Sequence, residues 1–292
     1  MTEPPAARGP VDERAMRELA GLLEQGGALV LSGAGLSTDS GIPDYRGPTG
    51  ARRTQAPMTY QAFTRDPVAR HRYWARSHVG WRHIARADPN AGHRAVADLQ
   101  ASGLLVGIVT QNVDGLHQAA GARDVVELHG SLDRVVCLHC RALSDRGELA
   151  DRLHAANPRF DAVATRINPD GDAELPDEAL AGFVMVPCAV CGTDALKPDV
   201  VYFGEPVPKD RVARSFALTD AARSVLVLGS SLTVMSGYRF VLRAAARGRP
   251  VAIVNQGVTR GDDRADVRID APLGQVLPDL AARVGATWPQ RG

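Results

Sequence analysis

The pattern of hydrophobic and polar residues alternates between short apolar runs and longer stretches whose apolar residues recur at helical spacing. Strands buried on both faces of a parallel sheet have continuous apolar runs, and such runs occupy 28–31, 224–228 and 251–254. Further strands are predicted at 104–110 and 125–128, and an extended segment at 200–203. Because a sheet of this kind is covered on both faces, helices are expected between the strands.

Helical periodicity supplies those helices. In the first, 11–25, Leu19, Leu22 and Leu23 share one face. The others are predicted at 67–86, 90–101, 207–218, 238–246 and 274–284. The order strand, helix, strand over 224–254 is a βαβ unit. We therefore predict an α/β fold, with a doubly wound, Rossmann-type parallel sheet and a smaller domain formed by two insertions.

The two insertions interrupt the α/β alternation. Residues 46–89 are rich in arginine and aromatic residues, and 137–191 is bounded by cysteines. The middle of the second insertion, 157–187, is polar and rich in turn residues. A stretch of this length is either a surface excursion or a loop that reaches back over a substrate cleft.

The composition narrows the class of protein. A chain of 292 residues with 45% hydrophobic residues can bury a large core, and its net charge of +1 gives no electrostatic reason to bind nucleic acid or an anionic membrane. No apolar run approaches the ~20 residues that span a bilayer, and the N-terminus lacks the apolar segment of a secretory signal. We expect a cytoplasmic protein with no nucleic-acid or membrane partner. A mitochondrial matrix location would require a targeting segment that this sequence lacks, and the oligomeric state is not indicated.

All four cysteines fall into two C-x-x-C pairs, Cys137 with Cys140 and Cys188 with Cys191. Two such pairs are typical of a tetrahedral zinc site, and four thiolates leave no coordination position open for catalysis. Two disulfides or free thiols are the alternatives, although disulfides are uncommon in intracellular proteins. The pattern predicts one structural zinc ion, with an unusually long separation of 47 residues between Cys140 and Cys188.

A glycine-rich stretch, SGAGLSTDSGIPDYRG, follows the strand 28–31. Gly33 and Gly35 allow a sharp turn and a close approach to a ligand, as in sheets that bind a dinucleotide pyrophosphate. However, Thr38 replaces the third glycine of the usual pattern, and arginines stand at 52 and 53, where a dehydrogenase has an acid. By its residues alone the stretch is either a dinucleotide site or a turn without a ligand.

His129 directly follows the predicted strand 125–128. Ligands of open α/β sheets bind at the carboxyl ends of the strands, and a histidine there is suited to act as a base near neutral pH. A buried histidine with a purely structural role fits the spacing equally well.

The glycine-rich stretch resembles the NAD-binding loop of the sirtuins, GAGxSxxSGIPDFRG, with Tyr45 in place of the usual Phe. Further matches follow in the family's order, and the four cysteines stand where the family has them. The matching segments are Gln111–Asp114 with TQNxD, Glu127–Gly130 with the HG segment, Lys197–Glu205 with KPxVVxFGE, Gly229–Leu232 with GSSL, and Val254–Asn255. The class II, mitochondrial-type sirtuins are the most similar branch, through Arg72–Arg76, Gly80–Trp81, Leu132–Val135, Ser236–Phe240 and the loop containing Pro169–Asp172.

The resemblance implies a division into domains and two cofactors, NAD and one zinc ion. The NAD-binding domain would comprise 11–47, 90–133 and 197–286. The small domain would consist of a helical module, 48–89, and a zinc-binding module, 134–196. The ends, 1–10 and 287–292, are expected to be flexible.

The resemblance also implies functional residues. The cofactor-binding set is Gly33, Ala34, Gly35, Ser37, Ile42, Pro43, Asp44, Tyr45, Arg46, Gln111, Asn112, Asp114, Gly229, Ser230, Ser231, Asn255, Gln256 and Gly257. Within this set, Asn112 and Asp114 would help hold the nicotinamide, the amides of Ala34 and Gly35 would face the pyrophosphate, and Ser230 and Asn255 would bind ribose hydroxyls. The catalytic residues would be His129, Asn112 and Asp114, with His129 removing a proton from a ribose hydroxyl.

The implied activity is that of an NAD-dependent protein-lysine deacetylase or deacylase that releases nicotinamide and O-acyl-ADP-ribose. Acyl-lysine proteins or peptides would be the substrates, paired as an added strand with Val200, Val201, Tyr202, Phe203, Gly204 and Glu205. Mono-ADP-ribosyl transfer at the same NAD site and a non-catalytic NAD sensor are the alternatives.

A preference for acidic or branched acyl groups is a further hypothesis. Tyr73 and Arg76 are spaced i, i+3 on a predicted helix, so both can lie on one face. Sirtuins that remove acidic acyl groups use such a pair, in which Arg holds the distal carboxylate. A solvated helix face with a half-buried Tyr is the alternative.

Overall fold

The structure is a computed structural model, and it describes residues 11–46, 57–164, 166–180 and 182–286. The predicted flexible ends, Gly47 and the first part of the helical module lie outside these residues. The helices are α1 Glu13–Glu24, α2 Tyr60–Arg65, α3 Pro67–Ile84, α4 Ala91–Ala101, α5 Leu116–Ala119, α6 Arg146–Ala156, α7 Lys209–Ala221, α8 Met235–Ala246 and α9 Leu273–Arg283. The strands are β1 Ala28–Ser32, β2 Leu105–Thr110, β3 Val126–Glu127, β4 Gly130–Cys137, β5 Leu143–Asp145, β6 Arg166–Ile167, β7 Ala173–Glu174, β8 Leu196–Val200, β9 Ser224–Leu228, β10 Val251–Val254 and β11 Val267–Ile269.

A six-stranded parallel sheet in the order β11-β10-β9-β1-β2-β3 forms the larger part of the fold. Every residue of β1, β9 and β10 is buried, as the continuous apolar runs predict. One face of the sheet packs against α1, α4 and α9, and the other packs against α7 and α8. Helices therefore cover both faces, and the predicted doubly wound α/β fold is confirmed.

A second core lies beside the sheet and is built from both insertions. Strands β5, β4 and β8 form a small antiparallel sheet, over which α3 and α6 pack. The Arg146 guanidinium is buried there between two rings, 5.5 Å from the Trp74 centroid and 5.0 Å from that of Trp81. The proposed domain boundaries stay a prediction.

Residues 200–205 differ from the expected extended segment. The strand β8 ends at Val200, and the chain then turns, with Gly204 at a φ of +80°. The Tyr202 amide donates to a Glu205 carboxylate oxygen at 2.9 Å, and the Glu205 amide donates to the Tyr202 carbonyl at 3.0 Å. Phe203 forms an isolated parallel bridge with Thr59 within this turn, so the predicted extended segment 200–203 is confirmed as strand only at Val200.

The edge strand β11 was not predicted at all. It has only three residues, and exposed Arg268 stands at its centre between buried Val267 and Ile269, so no continuous apolar run marks it. Among the residues that the structure describes, no helix is long and apolar enough to cross a membrane.

Candidate active site

A cavity of about 310 Å³ opens at the carboxyl ends of the central strands, between the large sheet and the small module. Most of the predicted site residues line it: Gly33, Ala34, Gly35, Ser37, Ile42, Asp44, Tyr45, Arg46, Gln111, Asn112, Asp114, His129, Val200, Val201, Tyr202, Phe203, Gly204, Glu205, Gly229, Ser230, Ser231, Asn255 and Gln256. Of the predicted catalytic, cofactor-binding and substrate residues, four are outside its described lining: Pro43, Gly257, Tyr73 and Arg76.

The glycines of the loop after β1 are required by packing within the protein. A Cβ atom on Gly33 would lie 2.8 Å from the Gly229 carbonyl oxygen, and one on Gly35 would lie 2.9 Å from the Gly229 Cα atom. The Gly35 amide donates to the Gly229 carbonyl at 2.8 Å. That amide has a partner within the protein, and the expectation that the amides of Ala34 and Gly35 face a pyrophosphate stays a prediction. The glycines let two loops approach backbone to backbone at the edge of the cavity.

Three polar side chains form one hydrogen-bonded group in the wall. The Ser37 hydroxyl donates to Asp114 Oδ2 at 2.7 Å and accepts from Asn112 Nδ2 at 3.1 Å. Asn112 Nδ2 also donates to the Gly33 carbonyl at 3.0 Å. Burial raises the pKa of the Asp114 carboxyl, while its bond from Ser37 opposes that shift. The predicted residues Asn112 and Asp114 are thus held rigidly by the glycine loop.

Two buried histidines lie behind this group. The imidazole of His93 approaches the Ser37 hydroxyl at 3.5 Å, and that of His117 lies 2.8 Å from the Ser32 hydroxyl. The two rings meet edge to face with their centroids 5.3 Å apart. Burial lowers the pKa of His93 to about 3 and that of His117 to about 4. Both rings are therefore neutral at pH 7, so the two histidines pack against each other without burying a positive charge.

His129 lies between β3 and β4, and both of its ring nitrogens are engaged. Its Nδ1 donates to the Gln111 carbonyl oxygen at 3.0 Å, because a carbonyl can only accept. Its Nε2 is then the unprotonated nitrogen and accepts from the Ser236 hydroxyl at 2.8 Å. Burial lowers the pKa of His129 to about 4, with Arg211 and Arg239 contributing in the same direction. The arrangement presents a neutral imidazole that can accept a proton at the cavity wall.

The predicted substrate segment, 200–205, forms the wall beside His129. The Val201 amide donates to the His129 carbonyl at 2.8 Å, and the Phe203 carbonyl accepts from the Tyr60 amide at 2.9 Å. These bonds fasten the segment to the residue before β4 on one side and to α2 on the other. The pairing of a substrate strand with this segment stays a prediction.

A buried lysine holds this segment in its turn. Lys197 is 2% exposed, and its Nζ donates to the Val200 carbonyl at 2.5 Å and lies 3.0 Å from a Glu205 carboxylate oxygen. It also lies 4.5 Å from the centroid of the Tyr202 ring. Burial lowers the pKa of Lys197, and the neighbouring Glu205 carboxylate opposes that shift. The lysine thus connects the beginning and the end of the segment.

Tyr73 and Arg76 both lie on α3 but behind the cavity wall. Tyr73 is fully buried, with its ring 5.5 Å from those of Phe63 and Tyr202. Arg76 forms two hydrogen bonds with Asp172, Nε to Oδ1 at 2.8 Å and Nη2 to Oδ2 at 3.1 Å. The hypothesis that this pair holds an acyl carboxylate stays a prediction.

The long loop between the cysteine pairs reaches the cavity, because Pro169 and Asp170 line it. Of the two alternatives for this loop, the structure therefore favours the one that reaches the cleft. Other lining residues that the sequence analysis missed include Val234 and Ser236 at the start of α8. Their position five to seven residues after Gly229, at the next helix N-terminus, is a signal that could have identified them.

The four cysteines come together at the far end of β4 and β8. All four Sγ atoms lie within 4.8 Å of one another, with 3.7 Å between Cys137 and Cys191 and 3.8 Å between Cys140 and Cys188. A disulfide needs ~2.05 Å, whereas a tetrahedral site with Zn–S bonds of ~2.3 Å places its sulfurs roughly 3.8 Å apart. The donor set therefore fits a zinc ion and excludes the alternative of two disulfides.

Comparisons with known proteins agree with this geometry. The sequence model of the Sir2 family matches residues 33–236. A protein of Streptomyces coelicolor, named NAD-dependent protein deacetylase 1, is 60% identical over 96% of this chain and 94% of its own length. A protein of the same name from Corynebacterium efficiens is 53% identical over 89% of this chain and 95% of its own.

Solved structures show the same fold. A Sir2 structure with a p53 peptide and NAD+ has a TM-score of 0.75 and 29% identity, and covers 93% of this chain and 99% of its own. A structure from work on the mechanism and regulation of Sir2 enzymes has a TM-score of 0.74 and 32% identity, and covers 94% of this chain and 98% of its own. The chain belongs to the Sir2 family.

Proposed function

We propose that this protein is an NAD-dependent protein-lysine deacetylase, which uses NAD and water to convert an acyl-lysine into free lysine, nicotinamide and O-acyl-ADP-ribose. The observation that carries the proposal is the position of His129, whose unprotonated Nε2 lies in a cavity lined by the Asn112 and Asp114 group and by segment 200–205. Relatives of the chain are named NAD-dependent protein deacetylases, and solved Sir2 structures contain acylated peptides.

Different residues of the cavity are assigned to different parts of NAD. When bound, NAD supplies the ribose carbon that loses nicotinamide and accepts the acyl oxygen. Asn112 and Asp114 provide an amide and a carboxyl group, which are suited to hold a carboxamide. Ser230 and Asn255 are the residues that we assign to ribose hydroxyls. Ser230 is held at its place by Gln111, whose Nε2 donates to the Ser230 hydroxyl at 2.8 Å.

His129 is the general base in this proposal. Its Nδ1 proton is fixed on the Gln111 carbonyl, so Nε2 is the nitrogen that accepts a proton from a ribose hydroxyl. Ser236 now donates to Nε2 and would have to turn away when the ribose hydroxyl takes its place. The buried setting keeps the imidazole unprotonated at neutral pH, which is the form that a base requires.

The metal has a structural role in the proposal. Four cysteines would complete the coordination of one zinc ion, so no position remains for substrate or water. The site lies at the end of β4 opposite to the cavity, because Cys137 is the last residue of that strand and Gly130 the first. The ion would stabilise the small module without taking part in the reaction.

Mass spectrometry of the protein with NAD and an acetyl-lysine peptide tests the function. We expect loss of the acetyl group together with an equal amount of released nicotinamide. Replacing His129 by Ala should lower turnover by at least roughly 100-fold, the usual contribution of a general base. His154→Ala is the matched control, because His154 is exposed on α6.

Two results would overturn the assignment. If nicotinamide is released while the peptide is untouched and protein gains ADP-ribose, the transferase alternative replaces deacetylation. If His129→Ala retains the turnover of the His154→Ala control, His129 is not the base.

A further inference from the structure

The guanidinium of Arg76 is committed to a partner within the chain. Its two hydrogen bonds to Asp172 are bidentate, and the two side chains are only 14% and 7% exposed. Arg76 lies outside the described lining of the cavity. Tyr202 lies within that lining, and its ring contacts the ring of Tyr73, which is on the same helix as Arg76. A ligand carboxylate in the cavity would therefore have to displace a buried intramolecular carboxylate in order to reach this arginine.

The segment that carries Asp172 is firmly placed. The Asn168 amide donates to the Asp172 carbonyl at 2.9 Å, and the Gly171 amide donates back to the Asn168 carbonyl at 2.9 Å, so 168–172 forms a tight turn. A Cβ atom on Gly80 of α3 would lie 2.1 Å from the Gly171 carbonyl oxygen. The turn thus packs directly on the backbone of α3, one helical turn after Arg76.

The same turn brings no positive charge to the cavity. Its contribution to the wall is Pro169 and Asp170. Asp170 Oδ1 accepts from the Asp172 amide at 3.3 Å, which couples the lining residue to the residue that holds Arg76. Among the described lining residues, the sole Arg or Lys is Arg46, and it belongs to the glycine loop assigned to the cofactor.

We propose that Asp172 sets the acyl specificity of this enzyme: by holding Arg76 behind the cavity wall, it leaves the enzyme selective for uncharged acyl groups over acyl groups that end in a carboxylate. The inference rests on the proposed deacetylase function and adds its substrate class. It replaces the acid-recognising role that the spacing of Tyr73 and Arg76 suggests with a role in which Arg76 anchors the loop.

The test compares kcat/KM for acetyl-lysine and glutaryl-lysine in one peptide sequence. The wild-type protein should favour the acetyl peptide at least tenfold. Asp172→Asn weakens the hold on Arg76 and should shift the glutaryl-to-acetyl ratio at least tenfold toward glutaryl. Asp161→Asn is the matched control, because it removes an exposed carboxylate from the same loop and should leave the ratio unchanged. The double change Asp172→Asn with Arg76→Gln should abolish the shift, because the arginine is then absent.

The ratio is measured on one enzyme sample, so it does not depend on the fraction that is folded. Three results would overturn the proposal: a wild-type preference for glutaryl, an unchanged ratio in Asp172→Asn, or a shift that survives the loss of Arg76. If Asp172→Asn does not fold, the Arg76→Gln variant decides alone. The proposal requires this variant to keep the wild-type glutaryl-to-acetyl ratio of kcat/KM. A selective loss of glutaryl turnover in it would contradict the proposal. Absence of turnover on every peptide by the wild-type protein is a separate result, which removes the deacetylase function itself.

Discussion

The Nε2 atom of His129 lies 2.8 Å from the hydroxyl oxygen of Ser236, the second residue of α8. Since Nδ1 of the same ring donates to the Gln111 carbonyl, the serine hydroxyl donates to Nε2. When the ring is protonated, the hydroxyl can turn and accept from Nε2 instead, and such a charge-assisted bond is the stronger of the two. Ser236 therefore has two effects on the proposed base: it orients the neutral ring, and it can accept a hydrogen bond from the protonated ring.

Replacing Ser236 by Ala should shift the acidic limb of the kcat/KM profile to lower pH. The protonated ring loses a stronger bond than the neutral ring does, so the pKa of His129 falls, by about 0.7 pH unit for a difference of ~1 kcal/mol. Ser236→Thr keeps a hydroxyl and should retain the wild-type profile. An acidic limb that stays in place in Ser236→Ala would show that the serine does not control the protonation of His129.

Acidification should destabilise the protein well above the pH at which its carboxylates titrate. His93 and His117 are 0% and 2% exposed, and burial lowers their pKa values to about 3 and about 4. In the unfolded chain they titrate near ~6.5, so between these values the unfolded state binds more protons. Stability is therefore fully present above pH ~6.5 and falls by up to ~1.4 kcal/mol per pH unit for each histidine until the folded value is reached.

Urea unfolding at several pH values between 7.5 and 4.5 measures this slope. His93→Gln removes one titrating ring and should reduce the slope, while His154→Gln, at an exposed position, should leave it unchanged. Stability that is independent of pH in this range would contradict the buried, neutral state of the two rings.

Replacing Arg141, the residue after the first cysteine pair, by glycine should stabilise the protein. Arg141 follows Cys140 with a φ of +64°, and Gly192 follows Cys191 at the same place in the second knuckle with a φ of +72°. A left-handed backbone is strained for arginine but not for glycine, so Arg141→Gly should stabilise the protein by about 1 kcal/mol. A Cβ atom on Gly192 has nothing within 4 Å, so Gly192→Arg should destabilise by a similar amount through strain alone. Urea denaturation measures the free energy of unfolding of both variants. A change of the same sign in the two variants would contradict the prediction.

Lys197→Met should raise KM for the peptide more than KM for NAD. The change removes the group that joins the Val200 carbonyl to the Glu205 carboxylate, so segment 200–205 loses its turn while the glycine loop is untouched. A loss of roughly 2–3 kcal/mol in stability is expected because the partly buried Glu205 carboxylate loses its positively charged partner and, among the described residues, keeps only the bond from the Tyr202 amide. Adding Glu205→Gln should recover part of that loss. Equal effects on both KM values would show that Lys197 acts on the whole site.

The sequence predicts the features that are determined by residues close to one another along the chain. The bounds of β9 and β10 match the predicted strands, because every residue in them faces a core and the apolar run ends where the strand ends. The position of His129 after a strand left a base and a buried structural histidine equally open, and it is the family resemblance that implies the role of base. The zinc cluster was identified because its ligands come in two closely spaced pairs.

Relationships between residues distant in the sequence were not predictable. Arg76 and Asp172 are separated by 96 positions, and nothing in either segment indicates that they pair. A contact of shorter range was missed as well: Lys197 Nζ lies 3.0 Å from a Glu205 carboxylate oxygen, and nothing in the β-branched and aromatic segment between them indicates the turn at 201–205.

The antiparallel pair β4 and β8 runs from the cysteine cluster to the base. Cys137 pairs with Leu196 at one end and Gly130 pairs with Val200 at the other, with a register shift between Gly130 and Val135. Beyond Gly130 the Val201 amide donates to the His129 carbonyl. Removal of the metal would therefore loosen a hydrogen-bonded ribbon whose last rung is the main chain of His129. Amide hydrogen exchange at Val201 then becomes a sensor of metal occupancy, reporting from inside the cavity on an ion bound at the opposite end of the ribbon.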